Sequence, residues 1–348
     1  MHKDKNIIDW YIQNKPVYKR LANKIESLLI EVFDMENISY HIVTSRAKDI
    51  NSVKTKASNT KYSDPINQIQ DFAGIRVITY VEDEVKKVCA IIENIFDIDT
   101  DNSSNKSDDL GIDKVGYKSV HYIASLKNDR LKLPEYKQYL NKCFEIQVRT
   151  ILQHAWAEIE HDRNYKFSGR LPDDINRRFK IVSGMLEMAD REFNSISYEI
   201  DLISSNVKEA TKSGELDIPI SSTTLVQFLN SRLNLNGNII PSNDSYIIDE
   251  LHKYGIKSLS DLNKIIPEDI DELLNAESDE DTNEIGVART LMILDNYDKY
   301  FSQANINKFD IWQNEDEYKD ADFVREYFKK HGVDWNKIED KYDVRYTT

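Results

Sequence analysis

The chain has 348 residues, a formal net charge of −15 and a mean hydropathy of −0.59. Its 40% hydrophobic content can build a sizeable core, and the length suits two domains. No apolar run approaches the roughly 20 residues of a membrane span, and two cysteines, Cys89 and Cys143, exclude a disulfide or cysteine-rich zinc framework.

The opening MHKDKNIIDW has no hydrophobic stretch of the kind a signal peptide needs, so a soluble, cytoplasmic protein with no membrane partner is expected. The charge is unevenly spread. Residues 1–200 carry 30 Lys and Arg against 31 Asp and Glu, whereas residues 201–348 carry 16 against 30. The first part can hold local basic clusters for phosphates; the second would repel bulk nucleic acid.

Residues 6–35 place apolar side chains at helical spacing around Pro16, which predicts two helices or one kinked helix. SYHIVTSR (39–46) reads as a strand, and residues 47–70 as a polar, Lys-rich segment with a short helix. GIRVITYV (74–81) is the clearest strand, followed by the amphipathic helix 82–96 with its acidic start. Residues 99–116 are nearly devoid of apolar side chains and predict a mobile loop, long enough to suggest a functional one. SVHYIASL (119–126) and KCFEIQVR (142–149) are two more strands, with helices over 150–166 and from Pro172 to about Leu202. The order implies an α+β fold with a β-sheet flanked by helices. A polar linker is expected over 205–220, then a mainly helical, acidic domain over 221–348. Within it, residues 268–284 hold nine acids and no Lys or Arg, which reads as a solvated face or loop.

Arg46 and Lys48 stand two apart at a strand end and so share a face; with Lys56 they would suit a polyphosphate. A bare lysine run is equally a solvated helix face. Asp71 precedes the strand 74–81, and Glu145 sits inside a strand on the face of Gln147 and Arg149. Glu145 could simply face solvent. If the two carboxylates lie on adjacent strands, they could share Mg²⁺, a hard cation that takes oxygen ligands. Gly116 lets the chain turn before Tyr117, which could stack on a base, and His121 shares that face further along the strand. A strand-edge aromatic with a core histidine is the plainer alternative. The helix over 150–166 holds His154, Glu158, His161 and Asp162, and the spacing i, i+4, i+7 puts three possible metal ligands on one face, yet no HExxH is present and Trp156 and Ile159 suit packing on the sheet. Neither a Walker A motif nor GxGxxG occurs.

Taken together, SRAK (45–48), DFAGIRV (71–77), GYKSVHY (116–122), FEIQVRT (144–150) and HAWAEIEHDRNYK (154–166) stand in the order and spacing of the RelA/SpoT synthetase domain. The resemblance covers roughly residues 6–200 and is nearest to the small alarmone synthetases and their toxic relatives. It implies a mixed, nucleotidyltransferase-like sheet that moves pyrophosphate from ATP to the 3′-hydroxyl of GDP or GTP, with Mg²⁺. By motif, Arg46 and Arg76 would flank the adenine, and Lys48 and Lys56 would hold the ATP phosphates. Asp71 and Glu145 would bind the metal, with Glu145 also activating the acceptor hydroxyl. Tyr117 would stack on the acceptor base and His121 would lie near its phosphates, with Gln147, His154 and Glu160 lining the acceptor side.

One departure concerns the acceptor. Lys114 stands three residues before Tyr117, where many family members have a lysine four before it, and the loop ahead is acidic. A toxin-type enzyme that pyrophosphorylates the 3′ end of tRNA is therefore the alternative, and a decayed binding module a third reading. Residues 205–348 lie outside the resemblance; they read as an accessory helical domain or as a regulator through which a protein trigger or inhibitor acts.

Overall fold

A computed structural model describes residues 2–105, 119–166, 172–242, 246–277, 281–305 and 320–342. It divides into two compact units, Met1–Ser197 and Tyr198–Thr348. Lys114 and Tyr117, with the rest of 106–118, lie outside the described residues.

The first unit opens with α1 (His2–Met35), one 34-residue helix with Pro16 inside it. Pro16 leaves the Ile12 carbonyl without its helical donor, but both residues are exposed, so water can supply one. Then come β1 (Ile42–Ala47), α2 (Ile50–Ala57), α3 (Pro65–Gln68), β2 (Ala73–Thr79), α4 (Glu82–Ile95), β3 (Phe96–Asn105), β4 (Val120–Leu126), the single turn α5 (Asn128–Leu131), β5 (Cys143–Thr150) and α6 (Ile151–Lys166). The strands form one mixed sheet in the order β1-β2-β5-β4-β3, in which only the β2–β5 pair is parallel.

β3 corrects the expectation of a loop from residue 99. Residues 99–105 are polar, yet their backbone pairs with β4 across a register shift between Asp99 and Ser104. An edge strand needs no apolar alternation for its main chain to hydrogen-bond, so hydropathy did not reveal it.

The pleat sorts side chains by face. Val43, Val77 and Val148 share a row, as do Ile75, Ile146 and Tyr122, and these are buried in the core with the apolar stripes of α1 and α4. The opposite face carries Thr44, Arg76, Gln147 and His121 in one row and Arg46, Gly74 and Glu145 in the next. The candidate site residues that fall within the strands thus stand on the face that the core does not use.

α7 (Asp173–Ser213) braces this unit through its first half. Buried Asp190 accepts from Thr150 Oγ1 at 2.9 Å, and Asn194 Oδ1 accepts from the Asp83 N–H at 2.8 Å, at the start of α4. The helix continues through 205–213, so the polar stretch there is helical. Val207 is buried, giving that last stretch an anchor, and Gly214 at φ +80° terminates it.

The second unit is mainly helical: α8 (Ser222–Arg232), α9 (Tyr246–Tyr254), α10 (Leu259–Lys264), α11 (Ile270–Glu277), α12 (Glu284–Lys299), α13 (Ala321–Lys330) and α14 (Trp335–Tyr342), with a parallel two-residue pair β6 (Ile239–Ile240) and β7 (Thr282–Asn283). The acidic stretch 268–284 is not uniformly solvated. α11 buries Ile270, Leu273 and Leu274, and Glu284 is buried, accepting from the Ser242 N–H and hydroxyl. A second buried acid, Glu250, takes a bidentate pair of bonds from Arg289 at 2.6 and 2.8 Å.

Candidate active site

The site begins with the packing that fixes Lys48 and Asp71. Trp10, Tyr11 and Tyr18 of α1 gather around Phe72, with Tyr11 stacked on it at 5.1 Å. The Tyr11 hydroxyl donates to the Lys48 carbonyl at 2.6 Å, and the Lys48 N–H donates to the Phe72 carbonyl at 2.9 Å. This ties the end of β1 to the entry of β2. Asp49 caps α2 by accepting from the Asn51 N–H, and the helix brings Lys56 back to the same place.

Lys48 and Lys56 converge on one atom, Asp71 Oδ2, at 2.6 and 2.7 Å. Burial pushes the Asp71 carboxyl up, but the two ammoniums outweigh it and hold the group below the usual carboxylate range. Burial likewise works to lower Lys56, and the bond to Asp71 reverses that, leaving it raised. The other oxygen, Asp71 Oδ1, is buried with no hydrogen-bond partner.

Glu145 stands opposite Gly74 in the register. Gln147 Nε2 donates to its Oε2 at 2.8 Å, and His121 Nδ1 lies 3.1 Å from its Oε1. Arg149 Nη2 approaches His121 Nε2 at 3.4 Å and donates from Nε to Ser119 Oγ at 3.1 Å. A guanidinium can only donate, so in a neutral imidazole the tautomer that serves both contacts accepts at Nε2 and donates from Nδ1 to Glu145. Burial raises the Glu145 carboxyl, yet the bonds from His121 and Gln147 prevail and lower it. It is an ionised acceptor at neutral pH.

Both carboxylates face one cavity of about 90 Å³, walled by Thr44, Arg46, Lys48, Gly74, Arg76 and Gln147 among others. A Cβ placed on Gly74 would meet no atom within 4 Å. Glycine in the middle of a strand marks a place where another group can approach the backbone, and here the open space lies between Arg46 and Glu145. Sequence reading passed over this residue; an interior strand glycine flanked by Ala73 and Ile75 was the available signal.

Arg76 is tied to Glu158 of α6 at 3.0 Å. His154, one turn earlier, has a buried Nδ1 without a partner, and its basicity is lowered by burial first, with Arg76 and Arg149 acting the same way. Glu160 is half-buried on the same helix and does not wall the cavity. The structure therefore brings together Arg46, Lys48, Lys56, Asp71, Arg76, Glu145, Gln147 and His121, with His154 at the margin. Among the described residues, no group of three or more His, Cys, Asp or Glu is placed to hold a metal, so the histidine–carboxylate cluster considered for α6 is not formed there.

Residues 45–170 match the family model for the region found in RelA / SpoT proteins. The chain is 27% identical over 172 residues to the GTP pyrophosphokinase YjbM of Bacillus subtilis (strain 168), spanning 48% of this chain and 77% of that protein. It is 26% identical over 162 residues to the GTP pyrophosphokinase YwaC of the same organism, spanning 44% and 69%. Among solved structures, the small alarmone synthetase 1 from Bacillus subtilis is similar at 23% identity and a TM-score of 0.46, over 56% of this chain and 98% of that one. The family-model match covers just over a third of this chain, and all the residues walling the cleft except Thr44 fall inside it. No helix among the described residues is long and apolar enough to cross a membrane.

Proposed function

We propose that this chain transfers the pyrophosphoryl group of ATP to the 3′-hydroxyl of GDP or GTP, releasing AMP and forming the 3′-pyrophosphorylated nucleotide. The observation that carries the reading is the convergence of Lys48 and Lys56 on Asp71 beside Glu145 in one cleft, with all four residues inside the family-model match at 45–170, in a chain similar to two proteins named GTP pyrophosphokinase.

Phosphoryl chemistry asks mainly for positioning and for charge placed where the transferred oxygens develop it. Lys48 and Lys56 are poised to turn from Asp71 towards the phosphates, and Arg46 offers a planar cation suited to stacking on adenine. The acceptor 3′-oxygen bonds to the β-phosphorus as the bond between that phosphorus and the oxygen bridging to the α-phosphate breaks. The proton passes to Glu145, which is ionised and aimed by His121 and Gln147. Mg²⁺ fits the residues present, because Asp71 keeps a buried, unpartnered oxygen and Glu145 a second hard carboxylate, with phosphate and water oxygens to complete the shell. When bound, it would neutralise the developing phosphate charge and lower the pKa of the hydroxyl.

The test offers γ-labelled ATP and Mg²⁺ with GDP, GTP or bulk tRNA in separate reactions, to the wild-type chain and to Glu145→Gln. Label entering a guanosine nucleotide, and lost in the variant, is the expected result. Label entering tRNA would keep the donor half and replace the acceptor. Label entering none of them would overturn the reading.

A further inference from the structure

Arg149 shares the face of the candidate site without walling its cavity. Glu145, Gln147 and Arg149 alternate along β5, and His121 of β4 stands opposite Gln147 with Ser119 two residues before it. The pleat turns these side chains to one face. Glu145 and Gln147 wall the cavity, whereas Ser119, His121 and Arg149 do not. The strand end that carries Arg149 is held in place, because the next residue, Thr150, is buried and donates to the buried Asp190 of α7.

The contacts run outward from the cavity in a line. Gln147 Nε2 and His121 Nδ1 meet the two oxygens of Glu145 at 2.8 and 3.1 Å. Behind the ring, Arg149 Nη2 approaches His121 Nε2 at 3.4 Å, and Arg149 Nε donates to Ser119 Oγ at 3.1 Å, which orients the guanidinium. Arg149 and Ser119 are both buried, so water does not readily stand in for either. A guanidinium has five donors and no acceptor, and it can meet Nε2 only where that nitrogen offers a lone pair. In a neutral imidazole the proton then sits on Nδ1 and points at Glu145. The other tautomer fails at both ends: it opposes two donors at Nε2 and two acceptors at Nδ1. Without the guanidinium, the contact at Nε2 that selects a tautomer and a ring orientation is gone.

We propose that Arg149 is a positioning residue for the transfer: it fixes His121 in the tautomer with hydrogen on Nδ1 and, through that ring, aims the Glu145 carboxylate at the acceptor hydroxyl. The inference rests on the pyrophosphokinase reading, in which Glu145 takes the hydroxyl proton. Arg149 acts on the carboxylate and not on the acceptor, so its loss should slow the transfer step equally for GDP and GTP.

The test follows the ring-nitrogen signals of His121 by NMR in the full chain labelled with ¹⁵N-histidine, assigned as the pair lost in His121→Gln. Steady-state transfer from γ-labelled ATP and Mg²⁺ to GDP and to GTP is measured alongside. In the wild type the signals should show hydrogen on Nδ1 and a bare Nε2. In Arg149→Met they should move to a mixture of tautomers, and kcat should fall about ten- to a hundredfold, the scale of removing a partner that orients a functional histidine. KM for both acceptors should stay at the wild-type value. Arg149→Lys keeps a charge and a donor and should recover part of both effects. Ser119→Ala, which removes the acceptor that orients the guanidinium, should move both readouts the same way by less, and it decides the matter if Arg149→Met does not fold. Three results would overturn the inference: hydrogen on Nε2 in the wild type, unchanged His121 signals in the folded variant, or a rise in acceptor KM with kcat kept, which would place Arg149 on the acceptor itself. All three leave the pyrophosphokinase reading standing. A wild-type chain that moves no label to GDP or GTP would instead sink that reading, and this inference with it.

Discussion

Gly74→Ala separates the fold of this protein from its function, because the two should move in opposite directions. Gly74 lies in β2, paired with Arg46 on one side and Glu145 on the other. Its φ is not in the left-handed region, and an added Cβ meets nothing within 4 Å. Replacing glycine at such a position reduces the freedom of the unfolded chain and stabilises by about 0.4–1 kcal/mol. The first unit should therefore melt at the same temperature or a few degrees higher. The methyl group projects into a cavity of only about 90 Å³. Forcing an extra carbon into an occupied, close-fitting space costs about 1–3 kcal/mol, which at 1.4 kcal/mol per decade is about five- to 150-fold in affinity. Calorimetry with a non-hydrolysable ATP analogue measures the second quantity and a thermal melt the first. Unchanged affinity in a chain at least as stable would show that no ligand approaches the sheet at Gly74, and the placement of the donor site would fall with it.

Three further predictions follow from other parts of the molecule. Asp71 has a lowered carboxyl pKa in the fold, so its contribution to stability is full above the unfolded value of about 4 and is lost as pH falls through the depressed folded value; the gap in melting temperature between wild type and Asp71→Asn should narrow from pH 7 to pH 3, and a constant gap would refute this. In the second unit, Arg289→Ala strands the buried Glu250 carboxylate and should cost about 3–5 kcal/mol in a denaturant titration, with a loss below about 1 kcal/mol counting against a structural role for the pair. Burial pushes the Cys89 thiol up to about 11 and raises Cys143 as well, so both should react far more slowly with a thiol reagent at pH 8 than in the denatured chain.

What the sequence made legible tracks what physical signal each element carries. β1, β2, β4 and β5 bury one face, so their apolar residues announced them, with ends within a few residues of those found. The candidate site residues were legible for a related reason: Glu145, Gln147 and Arg149 are polar at alternate positions in a strand otherwise built for burial. β3 carried no such pattern, and its pairing is a main-chain property. Nor could any spacing rule foresee that Lys48 and Lys56 would meet on a single oxygen of Asp71, because that depends on the turn of α2. Gly74 and the Arg76–Glu158 pair were invisible for the same reason.

The arrangement around Asp71 also explains why so cationic a cleft can fold before any substrate arrives. Lys48 and Lys56 are largely shielded from water, and two ammoniums so close together would repel strongly without a carboxylate between them. Asp71 supplies that charge through one oxygen and leaves the other unused in a buried position, where an unsatisfied acceptor is costly. A polyphosphate brought in with a cation would relieve both conditions at once, taking the lysines onto its own oxygens and the cation onto Asp71. Glu145 needs no such exchange, because His121 and Gln147 already hold it ionised. Under the proposed function, the donor half of the site would be a set of charges waiting to be re-paired, and the acceptor half a base already aimed. On this argument Lys56→Ala should impair donor binding much more than the catalytic step at saturating ATP, and His121→Ala should do the reverse. Steady-state measurement of both constants in the two variants decides it: a fall in kcat alone for Lys56→Ala, or a rise in KM alone for His121→Ala, would break the division.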